Sequence, residues 1–244
     1  MEYTKLKVIN NKKIGSDIYV LKVANYNKII QPGQFYMLKC WDDHLPLFRP
    51  ISVYNVEIDA IYFMYRTIGN GTEKMAHLKK GADIELLGPL GNGFPVDQVK
   101  GKIALVGGGV GIPPLYETAK KLIELGNSVD VYLGYRDELF AFEEFLNVSD
   151  NLFVSSEHGN EGYKGYITDI FHAEQYDAVF TCGPEVMMLK VRELCKEANV
   201  PSWLSMEKRM ACGIGACLVC NCDTTRGTVR TCKDGPVFFG NDIL

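Results

Sequence analysis

The chain has 244 residues, enough for one large or two medium domains with a core in each, and its 47% apolar and 23% charged residues are ordinary for a globular protein. A formal net charge of −4 with no basic run argues against a nucleic-acid partner. No apolar stretch approaches the ~20 residues that span a bilayer, and the N-terminal MEYTKLKVINNKK lacks an apolar core behind its lysines. No membrane partner and a cytoplasmic location are therefore expected.

Residues 1–97 alternate β-rich runs with turn signals. The runs are KLKVIN, DIYVLKVA, QFYMLKC, AIYFMYRT and DIELLG; the separators include Gln31-Pro32-Gly33, Gly69-Asn70-Gly71 and Gly91-Asn92-Gly93. Regular spacing of this kind predicts a small antiparallel β-barrel. Arg49-Pro50-Ile51-Ser52 reads as the end of a strand. Its guanidinium fork suits a pyrophosphate and its hydroxyl suits a flavin ring edge, although an exposed arginine before an edge proline fits the same letters. Tyr65 and Arg66 add an aromatic ring and a second cation. Gly71 and Thr72 add a turn able to cradle phosphate, while Gly69-Asn70-Gly71 alone reads as a hairpin turn.

Residues 98–205 change to alternating strands and helices, which predicts an α/β domain with a parallel sheet. KIALVG, VDVYLGY, NLFVSS, DAVFTCG and PSWLSM read as strands, and 185–198 as a helix. An amphipathic segment is expected around 138–146, and Leu115, Ala119, Leu122 and Ile123 share one face of another helix. Between strand and helix stands GGGVGIPP, residues 107–114. Its four glycines would cost about 2–4 kcal/mol in regular structure, so a close backbone approach is the expected reason for them. A helix N-terminus offers free N–H groups to phosphate, and proline is tolerated in the first turn. Strict G-x-G-x-x-G matching fails, because Ile112 stands where the last glycine belongs. Gly108, Gly109 and Gly111 are the candidate contacts, joined by Cys182 and Gly183 at a strand end where α/β sheets bind ligands. Without the neighbouring Gly183-Pro184, Cys182 reads better as a small buried core residue. Arg136 could meet a 2′-phosphate, but Asp137 and Glu138 beside it would repel one, so NAD is expected rather than NADP.

Residues 206–244 are rich in glycine and cysteine with little periodicity. Five of the eight cysteines lie there, and a reducing cytosol disfavours disulfides. Cys212-x4-Cys217-x2-Cys220, with Cys232 after eleven intervening residues, follows the plant-type [2Fe–2S] order, though with a shorter final gap. The competing structural zinc site ordinarily uses two C-x2-C knuckles, and only 217–220 forms one. Cys220 and Cys222 would face opposite sides of an extended segment, so Cys222 is the expected spectator.

These pieces, in this order, resemble the ferredoxin–NADP reductase superfamily: RPIS its flavin motif, GGGVGIPPL its nucleotide loop and CGPEVMM its nicotinamide-side segment. EKRMACGIGACLVCNC narrows the resemblance to electron-transfer subunits of class B dihydroorotate dehydrogenases. The resemblance implies a flavin barrel, a nucleotide domain and a small C-terminal cluster domain. It implies FAD on Arg49, Pro50, Ile51, Ser52, Tyr65, Arg66, Gly71 and Thr72, and a [2Fe–2S] cluster on Cys212, Cys217, Cys220 and Cys232. It also implies NAD, and an FMN-containing catalytic subunit as partner, in a heterotetramer of two plus two serving pyrimidine synthesis. No residues remain for the partner's ~250-residue barrel, so dihydroorotate should not bind this chain. Small subunits of an NAD(P)H–ferredoxin transhydrogenase or a sulfhydrogenase remain as alternatives, and a zinc-stabilised nucleotide-binding regulator stands outside redox chemistry.

Overall fold

The computed structural model describes residues 1–25, 29–41, 45–159 and 161–244. Six strands close a barrel: β1 (Glu2–Lys13), β2 (Ile18–Ala24), β3 (Phe35–Lys39), β4 (Arg49–Val56), β5 (Ala60–Arg66) and β6 (Asp83–Leu90), in the order β1-β2-β5-β4-β3-β6. Every recorded pairing among them is antiparallel. Alternation drives the closure, since every second residue of β6 is buried. Leu6, Leu21, Leu38, Phe63, Ile84 and Leu86 from five of the strands meet in one core.

Two sequence expectations change in the barrel. Arg49-Pro50-Ile51-Ser52 begins strand β4 instead of ending one. Proline is tolerated there because Arg49–Ser52 pairs with β3, whereas the recorded register with β5 starts at Val53. Gly69-Asn70-Gly71 is no hairpin turn: Gly69 is the N-cap of helix α1 (Asn70–Ala76). The reason lies in Thr72, whose Oγ1 accepts the N–H groups of Ile68 (2.9 Å) and Gly69 (3.2 Å) and so satisfies donors that a helix start would leave unpaired.

The second layer system runs β7 (Lys102–Gly108), α2 (Pro113–Glu124), β8 (Ser128–Tyr135), α3 (Phe142–Phe145), β9 (Asn151–Ser156), β10 (Tyr163–Lys164), β11 (Ala178–Cys182), α4 (Glu185–Glu197) and β12 (Ser202–Ser205). The tail adds a hairpin of β13 (Asn221–Thr224) and β14 (Gly227–Arg230), a short α5 (Thr231–Asp234), and β15 (Val237–Phe239). The large sheet has the order β10-β9-β8-β7-β11-β12-β15. All its pairings are parallel except the last, where β15 runs antiparallel along β12. Leu115, Ala119 and Leu122 of α2 bury against Ile103, Leu105, Val131 and Phe180. Ile123 departs from the expected face and stays 40% exposed, one step round the helix from Leu122. Of the expected 138–146 segment only Phe142–Phe145 is helical.

Helix α2 also holds the two halves together. Glu117 accepts the Val56 N–H at 2.9 Å, and Lys120 donates to Asn55 Oδ1, both at the end of β4. Across the same seam Glu138 accepts the Ser16 N–H at 2.8 Å. No helix among the described residues is long and apolar enough to cross a membrane.

Candidate functional site

Three groups of side chains and backbone make up the candidate site. At the barrel end, a Cβ on Gly71 would stand 2.6 Å from Arg49 Nε, so the glycine leaves room for the guanidinium. Arg49 also lies over the Trp41 ring, 5.2 Å from its centroid, and donates to Leu47 O at 2.6 Å. The structure thus brings together Arg49, Gly71 and, one residue on, Thr72. Pro50, Ile51 and Ser52 continue along β4 opposite Met37, Tyr36 and Phe35. Tyr65 is committed to the barrel interior: it stacks on Tyr19 at 5.7 Å and donates to Asn11 Oδ1 at 3.2 Å. Arg66 pairs with Asp17 at 3.1 Å near the Ser16 seam. Trp41 is a support that sequence reading misses, and no spacing signal marks it.

The nucleotide end is a backbone contact between two loops. At Gly111 any Cβ would overlap the backbone of Cys182 and Gly183, and at Gly108 it would meet Met187 Sδ at 2.7 Å. Gly183 itself has φ +151° and abuts Gly108. Gly108, Gly111, Cys182 and Gly183 therefore meet at the carboxyl edge of adjacent parallel strands β7 and β11. Gly109, at φ +51°, opens onto free space. The sheet order departs in opposite directions from β7, to β8 on one side and β11 on the other, which makes this edge the switch point where such sheets bind ligands. Burial pushes the Cys182 thiol up to about 12, against a smaller opposing effect of Ser205, so it stays neutral at ordinary pH.

The tail cysteines form a different kind of site. Gly213 (φ +71°) and Gly215 (φ +80°) turn the loop so that backbone N–H groups face sulfur. Ile214 N–H donates to Cys212 Sγ at 3.4 Å, Gly215 N–H to Cys232 Sγ at 3.1 Å, and Cys232 N–H to Cys220 Sγ at 3.5 Å. The thiols pair as Cys212 with Cys217 and Cys220 with Cys232. Burial opposes ionisation of Cys212, but the N–H groups of Ile214, Cys217 and Ala216 and the Cys217 thiol outweigh it and hold the thiol at about 6. Burial first, then Cys220, pushes Cys232 up to about 12. The first pair reaches the surface, with Cys217 exposed, and the second is buried against Phe35, Met37 and Leu90 of the barrel.

This donor set fits an iron–sulfur cluster. Two thiol pairs with inward N–H donors suit two irons, each taking two thiolates, with hydrogen bonds to the sulfurs. Cys222 stands apart, packed among Met188, Leu204, Met206 and Ile243.

A barrel fused to a parallel sheet, with a thiolate loop docked on the barrel, defines the ferredoxin–NADP reductase type of electron-transfer flavoprotein fold. A chain of the NADH-dependent reduced ferredoxin-NADP oxidoreductase structure superposes with a TM-score of 0.86 over 98% of this chain and 89% of that one, at 29% identity. Residues 207–244 match the iron-sulfur cluster binding domain of dihydroorotate dehydrogenase B. Along its full length the chain is 45% identical to the dihydroorotate dehydrogenase B (NAD(+)) electron transfer subunit of Clostridium acetobutylicum and 46% identical to that of Clostridium perfringens, covering 98% of each. The chain belongs to the family of dihydroorotate dehydrogenase B (NAD(+)) electron transfer subunits. These identities do not favour the transhydrogenase and sulfhydrogenase alternatives.

Proposed function

We propose that this chain passes electrons between the FMN of a dihydroorotate dehydrogenase catalytic subunit and NAD, through a [2Fe–2S] cluster and FAD, in pyrimidine synthesis. The observation that carries the reading is the pairing of four tail thiols under three N–H donors, with Cys220 and Cys232 set on the barrel wall. When bound, FAD exchanges the two electrons of a hydride for the single electrons that a [2Fe–2S] centre carries.

The chain's own residues supply positions for these groups. Arg49 offers its fork to a pyrophosphate, held by Trp41 beneath and by the space at Gly71. Pro50, Ile51, Ser52, Tyr65, Arg66 and Thr72 complete the FAD set, with Tyr65 limited to its backbone because its ring and hydroxyl are engaged. Gly108, Gly109, Gly111, Cys182 and Gly183 form the NAD edge, where free backbone at Gly109 admits a ligand. Cys212, Cys217, Cys220 and Cys232 take the cluster. Glu117 and Lys120 bind α2, which follows the glycine loop, to β4, which carries Arg49. That grip fixes the spacing between the two ligand edges.

On this reading the parts divide as 1–97 for FAD, 98–205 for NAD and 206–244 for the cluster, with β15 returning to the second part's sheet. Ile214, Leu218 and Val219, exposed and close to exposed Cys217 in the chain, offer an apolar exit toward the partner. Assembly as two plus two subunits in the cytoplasm completes the proposal. The test is anaerobic co-expression with the catalytic subunit, followed by metal and flavin analysis. The expected complex contains iron, inorganic sulfide, FAD and FMN, and its visible spectrum bleaches with NADH. A colourless, zinc-containing chain would sink the reading.

A further inference from the structure

Thr231 is fully buried, at 0% exposure, and its hydroxyl has no hydrogen-bond partner among the described residues. A buried hydroxyl left unpaired is unfavourable, and native structures rarely keep one without a reason. The surroundings narrow the reason. Thr231 directly precedes Cys232, and its N–H donates to the Cys220 carbonyl at 2.8 Å. Its backbone is thus clamped between the two cysteines whose thiols form the buried pair. The neighbouring Cys232 N–H already points to Cys220 Sγ at 3.5 Å. The side chains packed on that pair, Phe35, Met37, Leu90, Phe48, Leu87 and Met210, are carbon and thioether.

We propose that the Thr231 hydroxyl donates a hydrogen bond to a sulfur of the cluster unit, either a bridging sulfide or a ligand thiolate, and so positions the reduction potential of that unit. The inference rests on the cluster reading given above. A hydrogen bond to sulfur strengthens as the unit gains an electron and becomes more negative, so the donor favours the reduced form and raises the potential. The hydroxyl keeps its proton throughout, and no bond is made or broken.

The experiment uses the full cluster-loaded chain and three variants: Thr231→Val, nearly isosteric without the hydroxyl; Thr231→Ala, which removes it with a different packing change; and Thr231→Ser, which keeps it. Iron and inorganic sulfide are quantified in each, and the cluster's midpoint potential is then measured by spectroelectrochemical titration. Val and Ala are expected to lower the equilibrium constant for one-electron reduction about tenfold, a fall of about 59 mV for one electron, while Ser stays near the parent. Full iron and sulfide with unchanged potentials in Val and Ala would overturn the inference, as when a trapped water takes the hydroxyl instead. A fall in Ser equal to that in Val would also overturn it, because packing would then be the cause. Absence of iron and sulfide from the parent chain would instead remove the cluster reading on which the inference stands.

Discussion

Two glycine-rich loops serve this molecule, and they need glycine for different reasons. At Gly108 and Gly111 the need comes from a neighbour: the backbone of Cys182 and Gly183 occupies the place where a side chain on Gly111 would begin, while Gly109 between them adopts left-handed backbone of its own. In 212–217 the need comes chiefly from the loop's own conformation, because Gly213 and Gly215 adopt left-handed backbone that turns N–H groups onto sulfur, with Gly213 also pressed against Met37. The thiols beside the two loops differ in the same sense. Cys182 is kept neutral by burial, whereas Cys212 is held as a thiolate by amides. Close packing makes an edge for a ligand to lie on; oriented amides make a socket for charge.

The contrast can be broken most severely at the socket. Cys217→Ser should lose the iron–sulfur signal and electron delivery to the partner, while NADH-dependent dye reduction at the flavin stays within about twofold of the parent. A full cluster signal in that variant would mean the ligand set is wrong. Thiol chemistry sharpens the same comparison. In chain stripped of iron, labelling of Cys212 by iodoacetamide should rise as pH increases through about 6 and then level off. Cys182 should remain unlabelled over the same range, because its proton is held to about 12. Equal labelling of both at pH 7, read by peptide mass analysis, would erase the proposed difference.

Stability separates the loops by smaller amounts. Gly111→Ala sets a methyl against backbone that cannot yield, and should destabilise by about 3 kcal/mol, or roughly 6–12 °C in apparent Tm. Gly215→Ala meets the flexible Lys233 side chain at 2.8 Å, so the left-handed backbone is its main cost. That amounts to about 1–2 kcal/mol, or roughly 2–8 °C, in calorimetry of the holo-protein. A Gly215 variant that melts below the Gly111 variant would reverse the assignment of the two roles.

Where burial follows a simple period, the sequence told the fold plainly. The β7, β8, β9 and β11 runs and the α4 helix lie where apolar patterning puts them. The barrel was legible as a kind of domain, but not in each strand. β4 was hidden because proline in RPIS disguises a strand start, and α1 because Gly-Asn-Gly is the ordinary signature of a turn. Thr72 overrides that signature through side-chain hydrogen bonds that no periodicity records. The convergence of Gly111 on Gly183, and of Gly71 on Arg49, depends on contacts between distant segments. Residue type announces such meetings only as an unexplained glycine. Trp41 and Thr231 carried no signal at all, since their roles exist only once their neighbours are in place.

Strand β15 changes how the tail is held. The chain leaves the large sheet after Ser205, runs through the cysteine loop and the small hairpin, and comes back at Val237 to lie against the strand it left. Both feet of this excursion stand on one rigid platform, so the segment behaves as a closed arch instead of a free arm. Ordering it costs less chain entropy than ordering an unpinned tail of equal length. The returning strand also covers an edge of the sheet that would otherwise invite pairing with another molecule. A chain cut before Phe238 would lose both at once, gaining a sticky border and a swinging arch.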